Sequence, residues 1–277
     1  MLRKPLAALL MIVAARSPAF AETQRTVHFH TTDDVTITGT YYPVKRNPAP
    51  AVLLIHSVAR NRTTWEAFAK LLQQGGMAAL AIDLRGHGES TGKLTADGSL
   101  TIDFHNFAGS DYQDMLLDIE AAVDWLQVQP EIDRKHIALA GESLGANLVL
   151  RYAAINEDIA ALVVFSPGIN YRGVRTDDVI LQVGRRPLHI FVSQFDAFAF
   201  ESSKRLVEIQ KEAGIDTATN ELTICTGNLH GSNMLLGVKN LPQIAVKWLK
   251  EAFTQGAAPS ATAAPTAPSR DTTHPPK

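Results

Sequence analysis

Apolar and polar residues follow two different periods along this chain of 277 residues. Six short apolar runs have the length of buried strands, and segments in which apolar residues recur at helical spacing separate most of them. The runs are residues 51–55, 78–82, 137–140, 161–165, 188–192 and 222–225. Strands that alternate with helices predict βαβ units and a mainly parallel sheet. Two stretches of alternating character, 25–30 and 35–42, come first and predict an antiparallel hairpin at the sheet edge.

The helical segments carry start signals in the sequence. One helix is predicted to begin near Thr63, because Thr63 and Glu66 have the spacing of a capping box. A second is predicted from Ser110, with Gln113 three residues later and its apolar residues on one face. Three more helices are predicted: one after Ser143, one over residues 202–212, and one with Pro242 in its first turn. The chain shows no internal repeat and no second domain.

The two ends differ from the middle in composition. Residues 1–21 combine a basic start, a short apolar stretch and an Ala-x-Ala site, the pattern of a secretory signal peptide cut after Ala21. Residues 22–254 have ordinary globular composition and predict one domain. Residues 255–277 consist largely of Ala, Pro, Thr and Ser, and a segment with so few large apolar residues is expected to be disordered.

Charge and cysteine content narrow the class of protein. The chain has 26 Lys and Arg against 28 Asp and Glu, and the signal segment holds three of the basic residues, so the mature chain carries a formal charge of −5. Without a basic stripe, nucleic-acid binding is not expected. The single cysteine, Cys225, has no partner for an internal disulfide. We therefore expect a bacterial periplasmic or secreted protein without stable membrane insertion, the alternative being that residues 1–21 persist as an anchor.

A candidate nucleophile lies in the sequence Gly141-Glu142-Ser143-Leu144-Gly145, which fits the pattern G-x-S-x-G. A predicted strand leads into it and a predicted helix follows. In that context the pattern indicates a nucleophile elbow, a sharp turn that lifts the serine hydroxyl clear of the sheet edge. The helix points its first N–H groups toward the place where negative charge develops.

A serine nucleophile needs a base, and the base needs an acid to orient it. In this type of fold the order along the chain is Ser, acid, His, with each partner in a loop just after a strand. Asp196 follows the strand 188–192, and His230 follows the strand 222–225. Competing acids are Asp177, Asp178 and Asp216, of which none directly follows a predicted strand. The other histidines lie in strands, linkers or the tail, which favours surface or structural roles: His28, His30, His105, His136, His189 and His274.

The oxyanion hole requires two backbone N–H groups. The first is expected from Leu144, the residue after the nucleophile. The second is expected from the loop after strand 51–55, with the amide of Val58 favoured.

Two further motifs accompany the elbow. The first is an apolar strand that ends in His56-Ser57, and the second is Asp83-Leu84-Arg85-Gly86-His87-Gly88-Glu89-Ser90. Together with the elbow they resemble the α/β-hydrolase family, in which the strand ends in His-Gly and the second segment reads D-x-R-G-H-G-x-S. The resemblance covers about residues 27–253 and is nearest to dienelactone-hydrolase-like and serine-aminopeptidase-like hydrolases.

The resemblance implies an α/β-hydrolase fold, with a mostly parallel central sheet flanked by helices. In the family the second segment is structural, so Asp83, Arg85 and His87 carry no catalytic role. The chain departs from the family at Ser57, which replaces a glycine, and from the dienelactone hydrolases in having Ser143 where they have cysteine.

The predicted activity is hydrolysis of a small ester through an acyl-enzyme. Only about twenty residues separate strands 161–165 and 188–192, which leaves no room for a large lid domain and favours short acyl groups. Four arginines in this segment form either a site for an acidic substrate or a solvated loop: Arg172, Arg175, Arg185 and Arg186. Two alternatives stay open, a peptidase or amidase on the same triad and a non-catalytic binding protein on this fold. No metal or organic cofactor is implied, and the expected partner is a small ester or amide.

Overall fold

The computed structural model of the chain describes residues 24–215 and 220–255. The predicted signal peptide lies outside the described residues, as does the predicted tail beyond Gln255. Candidate acid Asp216 and His274 also lie outside them.

Twelve strands and seven α-helices make up the described part of the chain. The strands are β1 (Arg25–His30), β2 (Val35–Tyr42), β3 (Ala49–Ile55), β4 (Ala78–Ile82), β5 (Gly92–Thr95), β6 (Gly98–Thr101), β7 (Ile132–Glu142), β8 (Ala161–Phe165), β9 (Asn170–Tyr171), β10 (Val174–Arg175), β11 (Leu188–Ser193) and β12 (Asn220–Cys225). The helices are α1 (Glu66–Gln74), α2 (Gly109–Gln127), α3 (Leu144–Ile155), α4 (Ile180–Val183), α5 (Ala197–Glu212), α6 (Asn233–Gly237) and α7 (Leu241–Gln255), with 3₁₀ turns at Arg62–Trp65 and Phe104–Asn106.

Ten of the strands form one sheet in the order β12-β11-β8-β7-β3-β4-β2-β5-β6, and β1 pairs with β2. All neighbours from β12 to β4 are parallel, whereas β2 is antiparallel to β1, β4 and β5. This confirms the mainly parallel α/β-hydrolase sheet and the antiparallel hairpin expected from the sequence. The carboxyl ends of the parallel strands meet at one edge, which is where open α/β sheets bind ligands.

Helices cover both faces of the sheet, which explains the continuous apolar runs of the central strands. Every residue of β3 is buried. Leu53 and Ile55 pack into the layer that contains α2 and α3, whereas Val52 and Leu54 pack into the layer that contains α1 and α7. The core is therefore two hydrophobic layers separated by the sheet.

Two predicted helix starts are wrong in detail. At the first, Thr63 donates its backbone N–H to Asn61 Oδ1 (3.0 Å), and α1 itself begins only at Glu66. Asn61 is thus the N-cap of the 3₁₀ turn that precedes α1, because its side-chain oxygen accepts a free amide of the first turn. At the second, α2 begins at Gly109, and the Asp111 carboxylate accepts the N–H of Ala108 (2.7 Å).

Two other differences concern segment length. Strand β7 starts at Ile132, five residues before the predicted run, because Ile132 pairs with Ala49 of β3. Helix α5 starts at Ala197 and not at Ser202.

Residues 166–187, where a lid would be inserted, hold only β9, β10 and the single-turn helix α4. Of the helices in residues 24–215 and 220–255, none has the length and hydropathy that a membrane span requires.

Candidate active site

Ser143 occupies a sharp turn between β7 and α3. Its backbone lies at φ 52° and ψ −118°, in a region that costs a non-glycine residue about 1–3 kcal/mol. The two flanking glycines are required by close backbone contact. A Cβ on Gly141 would lie 2.4 Å from the carbonyl oxygen of Gly145, and a Cβ on Gly145 would lie 2.4 Å from the carbonyl oxygen of Ile55. The G-x-S-x-G pattern thus serves a strained turn that presents the serine at the carboxyl edge of the sheet.

Asp196 and His230 lie in loops after neighbouring parallel strands, β11 and β12. His230 Nδ1 is 2.7 Å from Asp196 Oδ2. Because the carboxylate accepts, the hydrogen bond places the proton on Nδ1 and leaves Nε2 as the basic nitrogen. The structure therefore joins the predicted acid and base, in the orientation that a general base requires.

The exposure of the three side chains suits their predicted roles. Ser143 is buried, with 8% of its surface exposed, and the Asp196 and His230 side chains are 14% and 41% exposed. Among the described residues, no hydrogen bond joins the Ser143 hydroxyl to His230. Hydrogen bonds of this kind are often long without substrate and shorten when substrate binds.

Hydrogen bonds on several sides fix the loop that carries His230. Ser193 Oγ donates to the carbonyl of Leu229 (2.6 Å), and the N–H of Gly231 donates to Ser166 Oγ (3.0 Å). The N–H of Ser232 donates to Glu142 Oε2 (2.7 Å). Three strand ends, those of β7, β8 and β11, thus hold the loop that carries His230.

Two backbone amides, those of Leu144 and Val58, are the candidates for an oxyanion hole. Leu144 is the first residue of α3, so its N–H has no acceptor within the helix. In the loop after β3, the N–H of Ser57 donates to Glu142 Oε1 (3.3 Å), which leaves Val58 as the next amide of that loop. Ser57 is outside the set of residues with positive φ, whereas Ala59 has φ 58°. The serine that replaces the family glycine is therefore accommodated without strain.

The D-x-R-G-H-G-x-S segment and His56 form a buried polar layer below the site. The N–H of Leu84 donates to His56 Nε2 (3.0 Å), and His56 Nδ1 donates to the carbonyl of Ser57 (2.7 Å). Burial, with the nearby His87 ring, lowers the pKa of His56 to about 3, so the ring stays neutral. His56 therefore shapes the oxyanion loop by its two hydrogen bonds.

The charged residues of the same segment are engaged in ion pairs. Asp83 binds Arg62 through both its backbone N–H and its guanidinium. Arg85 binds the buried Asp118 (2.8 Å) and Asp33 (2.9 Å). These contacts are structural, as the family resemblance implied.

The competing residues lie elsewhere. Asp177 pairs with Arg175 (2.6 Å), and Asp178 pairs with Arg151 (3.0 Å). Each remaining described histidine of the competing set bonds a residue outside the site: His28 with Thr38, His30 with Thr36, His105 with Asp103, His136 with Asp133 and His189 with Thr223.

The four arginines of segment 166–187 do not form one patch. Arg172 lies over the Tyr112 ring, with its guanidinium carbon 5.9 Å from the ring centre. Arg185 and Arg186 line a cavity of about 1030 Å³ beside the first residues of β11, at the opposite edge of the sheet from Ser143. Arg186 also donates to the carbonyl of Asn156 (2.7 Å). These positions do not support a common site for an acidic substrate.

Two buried polar residues near the site have roles that the sequence did not predict. Glu142 is 2% exposed and bridges two loops, and Asn147 is fully buried on α3. Asn147 binds the carbonyl of Val174 (2.7 Å) and the N–H of Gly168 (3.0 Å). The available signal was a lone amide within an otherwise apolar helix, since a buried polar side chain requires partners.

Comparison with known proteins identifies the family of the chain. The profile of the family "Serine aminopeptidase, S33" matches residues 46–196, a stretch that contains Ser143 and ends at Asp196. An uncharacterized protein of Mycobacterium tuberculosis is 31% identical over 144 residues, which are 52% of this chain and 45% of the relative. The polyketide transferase grgF of a Penicillium species is 30% identical over 151 residues, which are 53% of this chain and 46% of the relative. The chain thus spans about half the length of the curated relatives it matches.

Solved structures share the fold at low sequence identity. The α/β hydrolase GrgF from Penicillium sp. sh18 gives a TM-score of 0.67 at 17% identity, over 84% of this chain and 99% of that one. An esterase of Pyrococcus furiosus gives 0.67 at 19% identity, over 83% and 91%. A dienelactone hydrolase of Anabaena variabilis gives 0.59 at 19% identity, over 84% and 97%.

Proposed function

Because the chain belongs to the serine aminopeptidase (S33) family of α/β hydrolases, we propose that it is a serine hydrolase that cleaves small carboxylic esters. The observation that carries the proposal is the strained turn at Ser143 beside a hydrogen-bonded Asp196–His230 pair. A protein that only binds a ligand has no need to hold a serine at φ 52° next to an oriented imidazole. The geometry therefore favours catalysis over a non-catalytic role on the same fold.

The proposed reaction proceeds through an acyl-enzyme. His230 Nε2 accepts the proton of Ser143 as Oγ attacks the ester carbonyl, and Asp196 stabilises the imidazolium that forms. The amides of Leu144 and Val58 donate to the oxyanion of the tetrahedral intermediate. The C–O bond then breaks, and His230 returns its proton to the departing alkoxide. Water repeats the sequence on the acyl-enzyme and releases the acid.

The surroundings of the site favour a small acyl group. Segment 166–187 contributes only a hairpin of two-residue strands and one helical turn, which is too little chain for a lid domain. Two exposed aromatic side chains flank Asp196 in sequence, Phe195 (69% exposed) and Phe198 (53% exposed). They supply an open apolar surface beside the triad, which suits a short ester better than a long acyl chain that needs an enclosed tunnel.

Peptide or amide cleavage remains the alternative on the same residues. An aminopeptidase needs a carboxylate to bind the substrate α-ammonium group. The two carboxylates next to the nucleophile and the base are already engaged: Glu142 accepts two backbone N–H groups, and Asp196 accepts from His230. This favours an ester without a charged amine.

The first 21 residues bear on where the reaction takes place. Their signal-peptide pattern supports the further proposal that the enzyme is exported to the periplasm or secreted. Processing after Ala21 is tested by the N-terminal sequence of the protein recovered from the periplasm. A chain that retains residues 1–21 in the membrane fraction would contradict the proposal.

Steady-state hydrolysis tests the proposed activity. We expect the purified protein to cleave p-nitrophenyl acetate and butyrate faster than the decanoate, and to leave peptide p-nitroanilides largely intact. Ser143→Ala, as the matched control, should abolish the activity. Faster cleavage of anilides would favour the peptidase, a preference for decanoate would contradict the open short-chain site, and equal rates in wild type and Ser143→Ala would refute the nucleophile.

A further inference from the structure

The hairpin β9–β10 stands beside Ser143 and is fixed to the nucleophile helix. Asn147, one turn after Ser143 on α3, binds the N–H of Gly168 on one side of the hairpin and the carbonyl of Val174 on the other. Thr176 Oγ1 donates to the carbonyl of Gly168 (2.7 Å). Two buried residues of the hairpin segment, Gly168 and Val174, thus take their position directly from α3, and Thr176 is tied to it through Gly168.

Tyr171 is the side chain that this hairpin presents to the site. Its hydroxyl donates to the carbonyl of Ser166 (3.4 Å). The preceding carbonyl, that of Phe165, accepts the N–H of Ser143 (2.9 Å), so the Tyr171 hydroxyl lies next to the nucleophile. The Ser143 hydroxyl is near enough to lower the pKa of the Tyr171 phenol by hydrogen bonding, against the effect of burial.

Aromatic and glycine contacts fix the ring of Tyr171. Its centre lies 5.3 Å from that of Phe198 and 6.3 Å from that of His230, both in edge-on geometry. A Cβ on Gly168 would lie 2.5 Å from a Tyr171 ring carbon, so the ring occupies the space that only glycine leaves free. The ring is therefore fixed beside His230, and the hydroxyl lies at the carbonyl of Ser166.

Tyr171 stays a neutral donor in this environment. Burial and the negative charge of Asp196 raise the pKa of its hydroxyl well above the usual value, and the hydrogen bond to Ser143 opposes them only in part. A phenol that keeps its proton can donate a hydrogen bond throughout a reaction.

The order of the strands in the sheet indicates which reacting oxygen of the substrate lies on the side of Tyr171. The oxyanion donors belong to the elbow and to the loop after β3, on one side of β7. Tyr171 follows β8 on the other side, the side on which β11 and β12 supply Asp196 and His230. The alkoxy oxygen of an ester must face His230, because His230 protonates it as it leaves.

We propose that Tyr171 is a further catalytic residue, which donates a hydrogen bond from its hydroxyl to the alkoxy oxygen of the ester as that oxygen leaves. The proposal rests on the esterase function proposed above. In the step concerned, the C–O bond of the tetrahedral intermediate breaks and its electron pair moves to the alkoxy oxygen. The proton comes from His230 Nε2, and the oxyanion re-forms the carbonyl. Tyr171 turns its O–H from the carbonyl of Ser166 (3.4 Å) to the leaving oxygen, keeps its own proton and stabilises the charge that develops there.

The test compares leaving groups in Tyr171→Phe, which keeps the ring and removes the hydroxyl. p-Nitrophenoxide leaves without protonation, whereas ethoxide needs a donor. For ethyl butyrate we expect kcat/KM to fall about 10- to 100-fold, the range for a hydrogen bond to a developing charge. For p-nitrophenyl butyrate we expect a loss below about threefold. Tyr152→Phe, at a buried tyrosine of α3 whose hydroxyl binds Asn156 (2.8 Å), is the matched control and should change neither rate.

The outcomes separate the two proposals. Equal losses on both esters, or no loss on either, with an unchanged melting temperature, would overturn the role of Tyr171. A wild-type protein that hydrolyses neither ester would overturn the proposed function, and this role with it. If Tyr171→Phe melted early, the two esters would be compared at a temperature where the variant is folded, and equal losses on both esters there would also overturn the role.

Discussion

Glu142 joins the two loops on which the proposed chemistry depends. Its side chain is buried at the end of β7. One carboxylate oxygen accepts the N–H of Ser57 (3.3 Å), in the oxyanion loop, and the other accepts the N–H of Ser232 (2.7 Å), in the loop that carries His230. Glu142→Gln keeps the size and shape of the side chain but replaces one accepting oxygen with an NH₂ donor.

The magnitude follows from the number of acceptors lost. One of the two backbone N–H groups must then face a donor, and a buried N–H without an acceptor costs about 1–3 kcal/mol. The remaining hydrogen bond then has a neutral amide oxygen as its acceptor and no longer a carboxylate, which lowers its strength by roughly half. We therefore expect the free energy of unfolding to fall by about 2–4 kcal/mol, which for a domain of this size lowers the melting temperature by roughly 4–16 °C.

Activity should fall with stability, because both loops lose a common anchor. A misplacement of catalytic groups by a fraction of an ångström to 1 Å lowers the rate by up to about 10²-fold. We expect kcat/KM on p-nitrophenyl butyrate to fall about 10- to 100-fold at a temperature where the variant is folded.

Urea unfolding and initial rates test both numbers, with Glu66→Gln as the matched control. Glu66 is half-exposed and pairs with Lys70 (2.5 Å) on α1, so its replacement should change stability by less than about 1 kcal/mol. A Glu142→Gln variant as stable and as active as Glu66→Gln would refute the argument that one buried carboxylate holds both loops.

Three further predictions follow from the site and its supports. Asp196→Asn should keep the fold, shown by an unchanged melting temperature, and lower kcat about 10³- to 10⁴-fold, because the His230 tautomer is no longer fixed; a loss below tenfold would count against Asp196 as the acid. Asn147→Ala leaves an N–H and a carbonyl of the β9–β10 hairpin unpaired, so urea unfolding should show a loss of about 2–4 kcal/mol, and an unchanged stability would contradict the tie. Burial lowers the pKa of His189 to about 4. In the unfolded chain His189 is protonated below about pH 6.5, whereas in the folded chain it is protonated only below about pH 4. The folded state is therefore destabilised as the pH falls from about 6.5 to about 4. Urea unfolding at pH 7, 5.5 and 4 should show that His189→Phe loses less stability than wild type as the pH falls. An equal change of the free energy of unfolding with pH in both proteins would be the contrary result.

The sheet was predictable because its strands are buried on both faces. Runs such as that of β3 have no polar residue and no helical spacing, so they have few alternatives to a central strand. The nucleophile turn was predictable for a related reason. Gly141 and Gly145 are imposed by contacts between backbone atoms, and such contacts leave a signature in the sequence.

Features that depend on tertiary partners were not predictable in the same way. Asn61 and Thr63 are both good helix caps, and the sequence does not reveal which one the fold selects. The exposed hairpin β5–β6 has no buried face and therefore no periodic signal. Tyr171 is one of several tyrosines, and its importance arises only because Asn147, far away in sequence, brings its hairpin to Ser143.

Covalent labelling of the purified protein with a fluorophosphonate tests the central claim most directly. Such a probe reacts with a serine that an adjacent base and an oxyanion hole activate. We predict one label per chain, located by peptide mass spectrometry on Ser143, absent from Ser143→Ala and strongly reduced in His230→Ala. A folded wild-type protein that remains unlabelled, or that carries the label on another serine, would contradict the account.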